Sequence, residues 1–337
     1  MLKLYKILFF NTMLIGSLIS ISAYSWFNMW IGLEINLLSI IPLMKSNKNI
    51  FPAEASLKYF ITQTLASTII LFTMILSLIS SDYIPNNTDY WLMMMMNSAL
   101  LTKLGAAPFH AWFPEVMEGL NWMNNLILLT WQKLAPMVLI MYNLKMMWFL
   151  MFIIMTSSII SGIMGFNQTS LRKIMAYSSI NHISWMLAGM LNSKLIWLTY
   201  FIIYFLISLN IVIIFHQFNL FNVNQLFYSM NSNKLTKLFF IFNFLSLGGL
   251  PPFLGFLPKW IVIDNLVLNQ MYSLSLILIM STLITLYFYI RLTFSTLTIL
   301  MSENLIKPTK LNNFIWLFLN LFTLLSLFLC TSILNIL

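Results

Sequence analysis

The sequence predicts an all-α protein that crosses a membrane many times. Of its 337 residues, 60% are hydrophobic and only 7% are charged, against about 25% charged in soluble domains. The apolar residues fall in runs of roughly 20, the length that crosses about 30 Å of hydrocarbon. Two of these runs carry the same interruption by glycine and proline, which is typical of broken membrane helices.

Long apolar windows predict eleven membrane-spanning helices in one integral membrane domain, residues 1–337. The fourth and ninth are too long for one straight helix and carry Gly and Pro near their centres, so each is expected to be broken. The predicted spans cover residues 5–22, 26–44, 57–80, 90–119, 122–143, 146–166, 170–190, 195–218, 237–268, 270–297 and 313–336.

Lysine and arginine are distributed unevenly between the two sides of this topology. Ten lie in connections on one side and two on the other, so the positive-inside rule places the N-terminus in the matrix or cytoplasm. Eleven spans then place the C-terminus in the opposite compartment. The connections predicted on the N-terminal side are 45–56, 167–172, 219–236 and 298–312. Because the basic residues are scattered, the net charge of +9 indicates membrane orientation and not a nucleic-acid-binding surface.

The two broken spans share a sequence pattern. Residues 108–115 and 252–259 both read Pro-Phe, four residues, Pro and a charged residue, each beginning three positions after a glycine. Five spans separate the copies, which therefore cross the membrane in opposite directions. This predicts inverted five-helix repeats, residues 1–144 and 145–297, followed by a C-terminal loop and helix, residues 298–337. Chance similarity between two proline kinks is the alternative.

Four ionisable residues lie inside predicted spans: Glu34, Lys103, Lys133 and Lys259. Each costs about 2.5–3.5 kcal/mol at a helix centre, so together they cost on the order of 10 kcal/mol, comparable with the stability of a whole domain. Charges retained at such a cost indicate an ion or proton pathway. A purely structural buried ion pair is the alternative.

The surroundings of these charges differ. Glu34 is the only acid at mid-depth and is therefore the expected partner of Lys103, which precedes the end of a half-helix where free carbonyl groups favour an ammonium. Lys259 follows Pro258, the expected first residue of a restarted helix, whose positively polarised start is unfavourable for a cation. Buried lysines with a movable carboxylate are the minimum apparatus for proton transfer.

His182 lies in the seventh span beside two serines and an asparagine, and is either a proton relay or a packing histidine. His110, in the break of the fourth span, is a weaker relay candidate. The single cysteine, Cys330, cannot by itself form an internal disulfide or hold an iron–sulfur cluster, and three histidines predict no metal site. Without a Walker motif or dinucleotide fingerprint, no cofactor is expected in this chain.

Several segments together resemble the antiporter-like membrane subunits of proton-pumping NADH:ubiquinone oxidoreductase (respiratory complex I). The resemblance is to the shortened subunit-2 type of animal mitochondria, which lacks the first three of fourteen helices. It runs from about residue 25 to 262, and Ser184 departs from it where glycine is expected. The segments that carry it are 30–36, 54–60, 103–115, 131–136, 171–179 and 248–259.

The resemblance implies a proton-translocating unit in the mitochondrial inner membrane, with its N-terminus in the matrix and its C-terminus in the intermembrane space. It implies that Glu34 pairs with Lys103, that Lys133 is central to transfer, and that Lys259 passes protons or charge to a neighbouring antiporter-like subunit. Other membrane-arm subunits and lipids are the implied partners. NADH, FMN, iron–sulfur clusters and ubiquinone are expected to be bound by other subunits, which carry out the redox catalysis.

Two other functions fit parts of the sequence. A free-standing cation/proton antiporter would have the same inverted repeat, but such carriers usually place a carboxylate at the ion site, and three of the four buried charges here are lysines. An inert structural linker would also have short loops, and it predicts that neutralising the lysines leaves proton pumping intact.

Overall fold

The computed structural model is built of α-helices. It describes residues 4–45, 50–83, 88–230, 234–251, 253–298 and 320, and within these ranges the only β-pairing is an isolated bridge between Ser170 and Asn222. The helices are α1 (Leu4–Ser22), α2 (Trp26–Met44), α3 (Phe51–Tyr83), α4 (Thr88–Leu104), α5 (Trp112–Gly119), α6 (Trp122–Leu129), α7 (Trp131–Tyr142), α8 (Met147–Phe166), α9 (Leu171–Asn192), α10 (Lys194–Gln217), α11 (Val223–Met230), α12 (Lys234–Gly248), α13 (Phe256–Leu268) and α14 (Tyr272–Thr298).

The chain divides into two compact units, residues 1–153 and 154–337. In the first unit, α1 and α2 form a hairpin in which two glycines bring the backbones together. A Cβ on Gly32 would lie 2.6 Å from the Ser20 nitrogen, and one on Gly16 would lie 2.9 Å from the Asn36 nitrogen. Small residues allow this close approach in membrane helix pairs. Helix α3 packs on α2, α4 and α5, and α7 packs on α1 and α4, so that α2 and α7 belong to one bundle.

The second unit is arranged around α9. This helix packs on α10, α13 and α14, and it is buried along nearly its whole length although it carries serines, an asparagine and a histidine. Because its polar side chains face protein on every side, α9 has no apolar face for lipid. Helices α12 and α13 complete the unit against α10 and α14.

Among the described residues, seven helical stretches are long and apolar enough to cross a membrane: Leu4–Ser22, Trp26–Met44, Phe51–Ile79, Trp122–Tyr142, Met147–Phe166, Lys194–Gln217 and Tyr272–Phe294. The predicted fourth and ninth spans are each broken into two helices, α4 with α5 and α12 with α13. The predicted eleventh span, 313–336, lies outside the described residues except for Asn320. The repeat boundaries at residues 144 and 297 stay a prediction.

Three boundaries differ from the prediction. The fifth span was expected to be continuous, but it is interrupted at Thr130, whose φ of −118° and ψ of −73° separate α6 from α7. Helix α3 begins at Phe51, inside the predicted connection 45–56, because Pro52 is compatible with a first turn that Glu54 also favours. The predicted connection 219–236 contains the short helix α11.

Candidate functional site

The break between α4 and α5 is closed by a glycine in the left-handed conformation. Gly105 has a φ of +74°, and its backbone N–H lies 3.2 Å from the carbonyl oxygen of Thr102. The N–H of Ala106 donates to the carbonyl of Leu101 at 3.1 Å. These two bonds form a Schellman cap, which requires a positive φ that glycine adopts without steric cost.

The break between α12 and α13 has the same cap. Gly249 has a φ of +76°, its N–H donates to the carbonyl of Ser246 at 3.0 Å, and the N–H of Leu250 donates to the carbonyl of Leu245 at 3.3 Å. Each bond lies 144 residues after its counterpart in the first break. The glycines that precede the two proline patterns therefore form the same backbone cap.

Lys103 and Lys133 line the same cavity in the first unit. The cavity has a volume of about 20 Å³, which is enough for one water molecule. Lys103 lies in the last turn of α4 and Lys133 in the first turn of α7, and both side chains are buried. The polar residues in its wall are Asn36, Tyr59, Gln63, Lys103, Gln132 and Lys133. The sequence did not predict that the two lysines share a cavity.

Neutral side chains hold the wall of this cavity in place. Gln132 of α7 donates from Nε2 to the Oδ1 of Asn36 on α2 at 2.8 Å, and its Oε1 accepts from the hydroxyl of Tyr59 on α3 at 3.4 Å. Gln63 of α3 donates to the carbonyl oxygen of Lys103 at 3.5 Å. The amide network thus connects α2, α3, α4 and α7 around the space between the lysines.

Glu34 lies on α2, two residues before Asn36, and is half-buried. Its charge is close enough to Lys103 for the two to interact electrostatically. Between them the described residues contain no ion pair within 4.0 Å, and the Oε1 atom of Glu34 is buried without a hydrogen-bond partner in that part of the chain. A direct contact between Glu34 and Lys103 stays a prediction.

From the sequence we expected the Lys103 ammonium at the carbonyl groups that end α4. In the structure, other groups donate hydrogen bonds to these carbonyls. The indole of Trp112, on α5, donates to the carbonyl of Thr102 at 3.0 Å, and backbone N–H groups take the carbonyl of Leu101. Among the described contacts, none joins the ammonium to these carbonyl groups. His110 lies in this break, half-buried, with Nδ1 3.3 Å from the carbonyl oxygen of Pro108.

Lys133 lies next to a helix break and not in the middle of a continuous span. Its backbone N–H donates to the carbonyl of Thr130 at 3.2 Å, and its ammonium lies 5.8 Å from the ring centre of Phe113. Only 2% of its surface is exposed. The ammonium therefore faces the interior of the first unit, beside an aromatic ring that favours a cation.

The structure corrects the predicted surroundings of Lys259. Helix α13 begins at Phe256, so Pro258 is its third residue, and the Lys259 side chain reaches back across the break. Its Nζ donates to the carbonyl oxygens of Leu247 at 3.2 Å and Gly248 at 2.9 Å. The ammonium thus occupies the negatively polarised end of α12, a favourable place for a cation. The prediction was wrong because a lysine side chain is long enough to span the gap.

His182 is buried in the second unit and makes a close contact with a tyrosine. Its Nδ1 lies 2.9 Å from the hydroxyl of Tyr200, and its ring centre lies 4.9 Å from that of Tyr204. The ring centre of Tyr200 lies 5.9 Å from that of His182, and both Tyr200 and Tyr204 are buried. The sequence did not mark these tyrosines as functional, because they carry no charge and look like ordinary apolar residues in a membrane span.

A further charged group near the start of α3 was also missed. Lys58 forms ion pairs with Glu54 at 3.3 Å and with Glu115 of α5 at 2.9 Å. All three side chains are at least 43% exposed, so they connect α3 and α5 at the surface and do not line the cavity. Among the described residues, no group of three His, Cys, Asp or Glu side chains could hold a metal ion.

Comparison with known proteins identifies the family. Residues 23–285 match the family model described as NADH:quinone oxidoreductase/Mrp antiporter, transmembrane. The chain is 51% identical over 297 residues to NADH-ubiquinone oxidoreductase chain 2 of Anopheles gambiae, covering 88% of this chain and 86% of the relative.

Solved structures have the same fold. A chain of respiratory complex I from Thermus thermophilus matches with a TM-score of 0.85 at 19% identity, covering 96% of this chain and 79% of that one. A chain of the Mrp complex from a Dietzia species matches with a TM-score of 0.80 at 16% identity, covering 96% and 74%. The match to the family model over most of the sequence, together with the insect relative, shows that the chain belongs to the NADH:quinone oxidoreductase/Mrp antiporter transmembrane family.

Proposed function

We propose that this chain is a proton-translocating subunit in the membrane arm of an NADH:ubiquinone oxidoreductase, and that its buried lysines carry the protons. The observation that carries the proposal is the water-sized cavity walled by both Lys103 and Lys133. Two buried amines with a water between them can pass a proton from one to the other through hydrogen bonds. A purely structural role gives no reason to keep two like charges beside one cavity.

In the proposed pathway, Glu34 and Lys103 form a loading pair. The carboxylate stabilises the charged form of Lys103, and the proton then moves through the cavity to Lys133. We propose that the cavity-wall amides position the water by hydrogen bonds but do not accept the proton, because an amide is not basic at physiological pH. These amides belong to Asn36, Gln63 and Gln132. Neutral walls therefore restrict proton exchange to the two amines.

In the second unit, Lys259 and His182 carry out the later transfers. Lys259 is held by the carbonyl end of α12, and His182 is in contact with the hydroxyl of Tyr200. A hydroxyl can accept one proton while it donates another, so Tyr200 extends the reach of His182. We propose that Lys259 passes protons or charge onward to a neighbouring antiporter-like subunit.

The remaining parts of the proposal extend the resemblance to respiratory complex I. The chain assembles with other membrane-arm subunits and lipids in the mitochondrial inner membrane, with its N-terminus in the matrix and its C-terminus in the intermembrane space. NADH, FMN, iron–sulfur clusters and ubiquinone are bound by other subunits, so this chain carries out no redox step itself. The predicted inverted five-helix repeats would give transfer in two half-channels.

The proposal is tested with the intact complex in liposomes, measuring NADH:ubiquinone turnover together with proton uptake. Lys103→Met is expected to lower proton uptake while the assembled complex still forms. Lys145→Met, the same substitution at an exposed lysine between α7 and α8, is the matched control and is expected to behave like the parent. Normal proton uptake in Lys103→Met would contradict the proposal, and sodium transport in place of proton uptake would favour a cation antiporter.

A further inference from the structure

The position of Lys259 depends on the absence of a side chain at residue 249. A Cβ on Gly249 would lie 2.7 Å from Cδ, 2.9 Å from Nζ and 3.1 Å from Cε of Lys259. Contacts this short are not tolerated, so any side chain here pushes the lysine away. The last carbons and the ammonium of Lys259 therefore lie directly over the glycine that ends α12.

The two hydrogen bonds of Lys259 explain why this place matters. Its ammonium donates to the carbonyls of Leu247 and Gly248, the two residues immediately before Gly249. Because the chain turns at Gly249, the two carbonyl oxygens and the space over the glycine together form the binding position of the ammonium. A lysine displaced from that space also loses the carbonyl oxygens that balance its charge.

We propose that Gly249 is a positioning residue for proton transfer through Lys259. By lacking a side chain, it keeps the ammonium on the carbonyl oxygens of Leu247 and Gly248. This inference rests on the proposed function, since it concerns one of the proton carriers named there. It adds a second reason for glycine at this position, independent of the positive φ.

The first break offers a matched comparison, because its glycine has the backbone requirement without the lysine. Gly105 has nearly the same φ, +74° against +76°, and the same cap. The three atoms nearest to a Cβ there all belong to Phe113: its own Cβ at 3.1 Å and two ring atoms at 3.3 and 3.4 Å. The carbonyl of Thr102 is served by the Trp112 indole instead of a lysine. Alanine at 105 and alanine at 249 thus share backbone strain, but only the second displaces an amine.

The test compares Gly249→Ala, Gly105→Ala, Lys259→Met and the double variant Gly249→Ala/Lys259→Met in the intact complex. Assembled yield measures the shared backbone strain, and protons translocated per electron pair measures the pathway. Gly249→Ala is expected to lower this ratio to the value of Lys259→Met, and the double variant is expected to lower it no further. A purely structural role of Gly249 would make the two losses add.

A parental ratio in Gly249→Ala, or a further loss in the double variant, would overturn the inference. If the alanine variant does not assemble, Gly249→Asn is used in its place, because asparagine adopts a positive φ more readily while still adding a Cβ. The same proton-to-electron ratios are expected of it. A parental ratio in Lys259→Met would instead refute the role of Lys259 in the proposed function. A loss in Lys259→Met without a loss in the Gly249 variants would refute the positioning role alone.

Discussion

Replacing Lys133 with methionine separates a proton carrier from a structural lysine. Methionine keeps roughly the volume of the side chain, so the packing around α7 is expected to survive. The charge is lost, and with it the ability to bind a proton. The variant is therefore expected to keep the stability of the complex but to lose proton translocation.

The stability change can be worked out from the surroundings of Lys133. Burying a lysine within a membrane protein costs about 2.5–3.5 kcal/mol on insertion scales, and this cost disappears in Lys133→Met. The contact of the ammonium with the Phe113 ring, 5.8 Å from its centre, is lost as well, and a desolvated contact of this kind contributes about 2 kcal/mol. The difference leaves a gain of about 1 kcal/mol for the variant, so the assembled complex is expected to be as stable as the parent or slightly more stable.

The effect on translocation is expected to be large. Proton transfer by a positioned side chain contributes about 10²–10⁴-fold to a rate, so proton uptake should fall at least tenfold if Lys133 is an obligatory carrier. Lys133→Arg is expected to be impaired too, since a guanidinium does not release its proton in a protein. Turnover, membrane potential and thermal unfolding of the complex are measured together, with Lys145→Met as the matched control. Near-parental turnover and potential in Lys133→Met would refute the reasoning and favour a scaffold.

Three further outcomes are expected. Glu34→Gln should lower proton uptake while assembly is retained, and a structure of the complex with the Glu34 carboxylate more than one water away from Lys103 would count against the pair. Gln132→Leu removes the bond to Asn36 and leaves a buried acceptor, so the complex should lose about 1–3 kcal/mol; an unchanged melting temperature would show that the amide network is dispensable. An impermeant protease should cut segment 219–236 only from the matrix side, and cleavage from the intermembrane side would reverse the proposed orientation.

The positions of the membrane helices could be read from the sequence because length and apolar composition determine them. The predicted spans 26–44 and 146–166 lie within one residue of α2 and α8 at each end. Helix α3 extends well beyond the predicted 57–80. Its extra residues include Glu54 and Asp82, charges that end an apolar window before the helix itself ends.

The site could be predicted less completely. The four charges inside the predicted spans were identified by their cost, but which of them share a cavity depends on how helices distant in sequence pack. Lys103 and Lys133 lie 30 residues apart, and no periodicity relates them. The interruption at Thr130 and the tyrosines around His182 were missed for a related reason, since neither is marked by glycine, proline-rich sequence or charge. Side-chain reach misled the prediction at Lys259, whose ammonium lies at the end of one helix while its backbone belongs to the next.

Helix α9 has a consequence for how the protein is made. Its first turn contains Arg172 and Lys173, and its middle carries Ser178, Ser179 and His182. It is not among the described helices apolar enough to cross a membrane alone. On insertion scales such a segment partitions poorly into lipid from a membrane insertion channel. Helix α10 follows after the single residue Ser193 and is strongly apolar.

The two helices are therefore expected to enter the bilayer as a hairpin, with α10 drawing α9 in. A nascent chain that ends at Asn192 would leave α9 outside the membrane, whereas one that continues to Gln217 would bury it. We therefore expect the second unit to assemble only after α10 has been synthesised, because the polar helix α9 needs its apolar neighbour α10 to enter the bilayer.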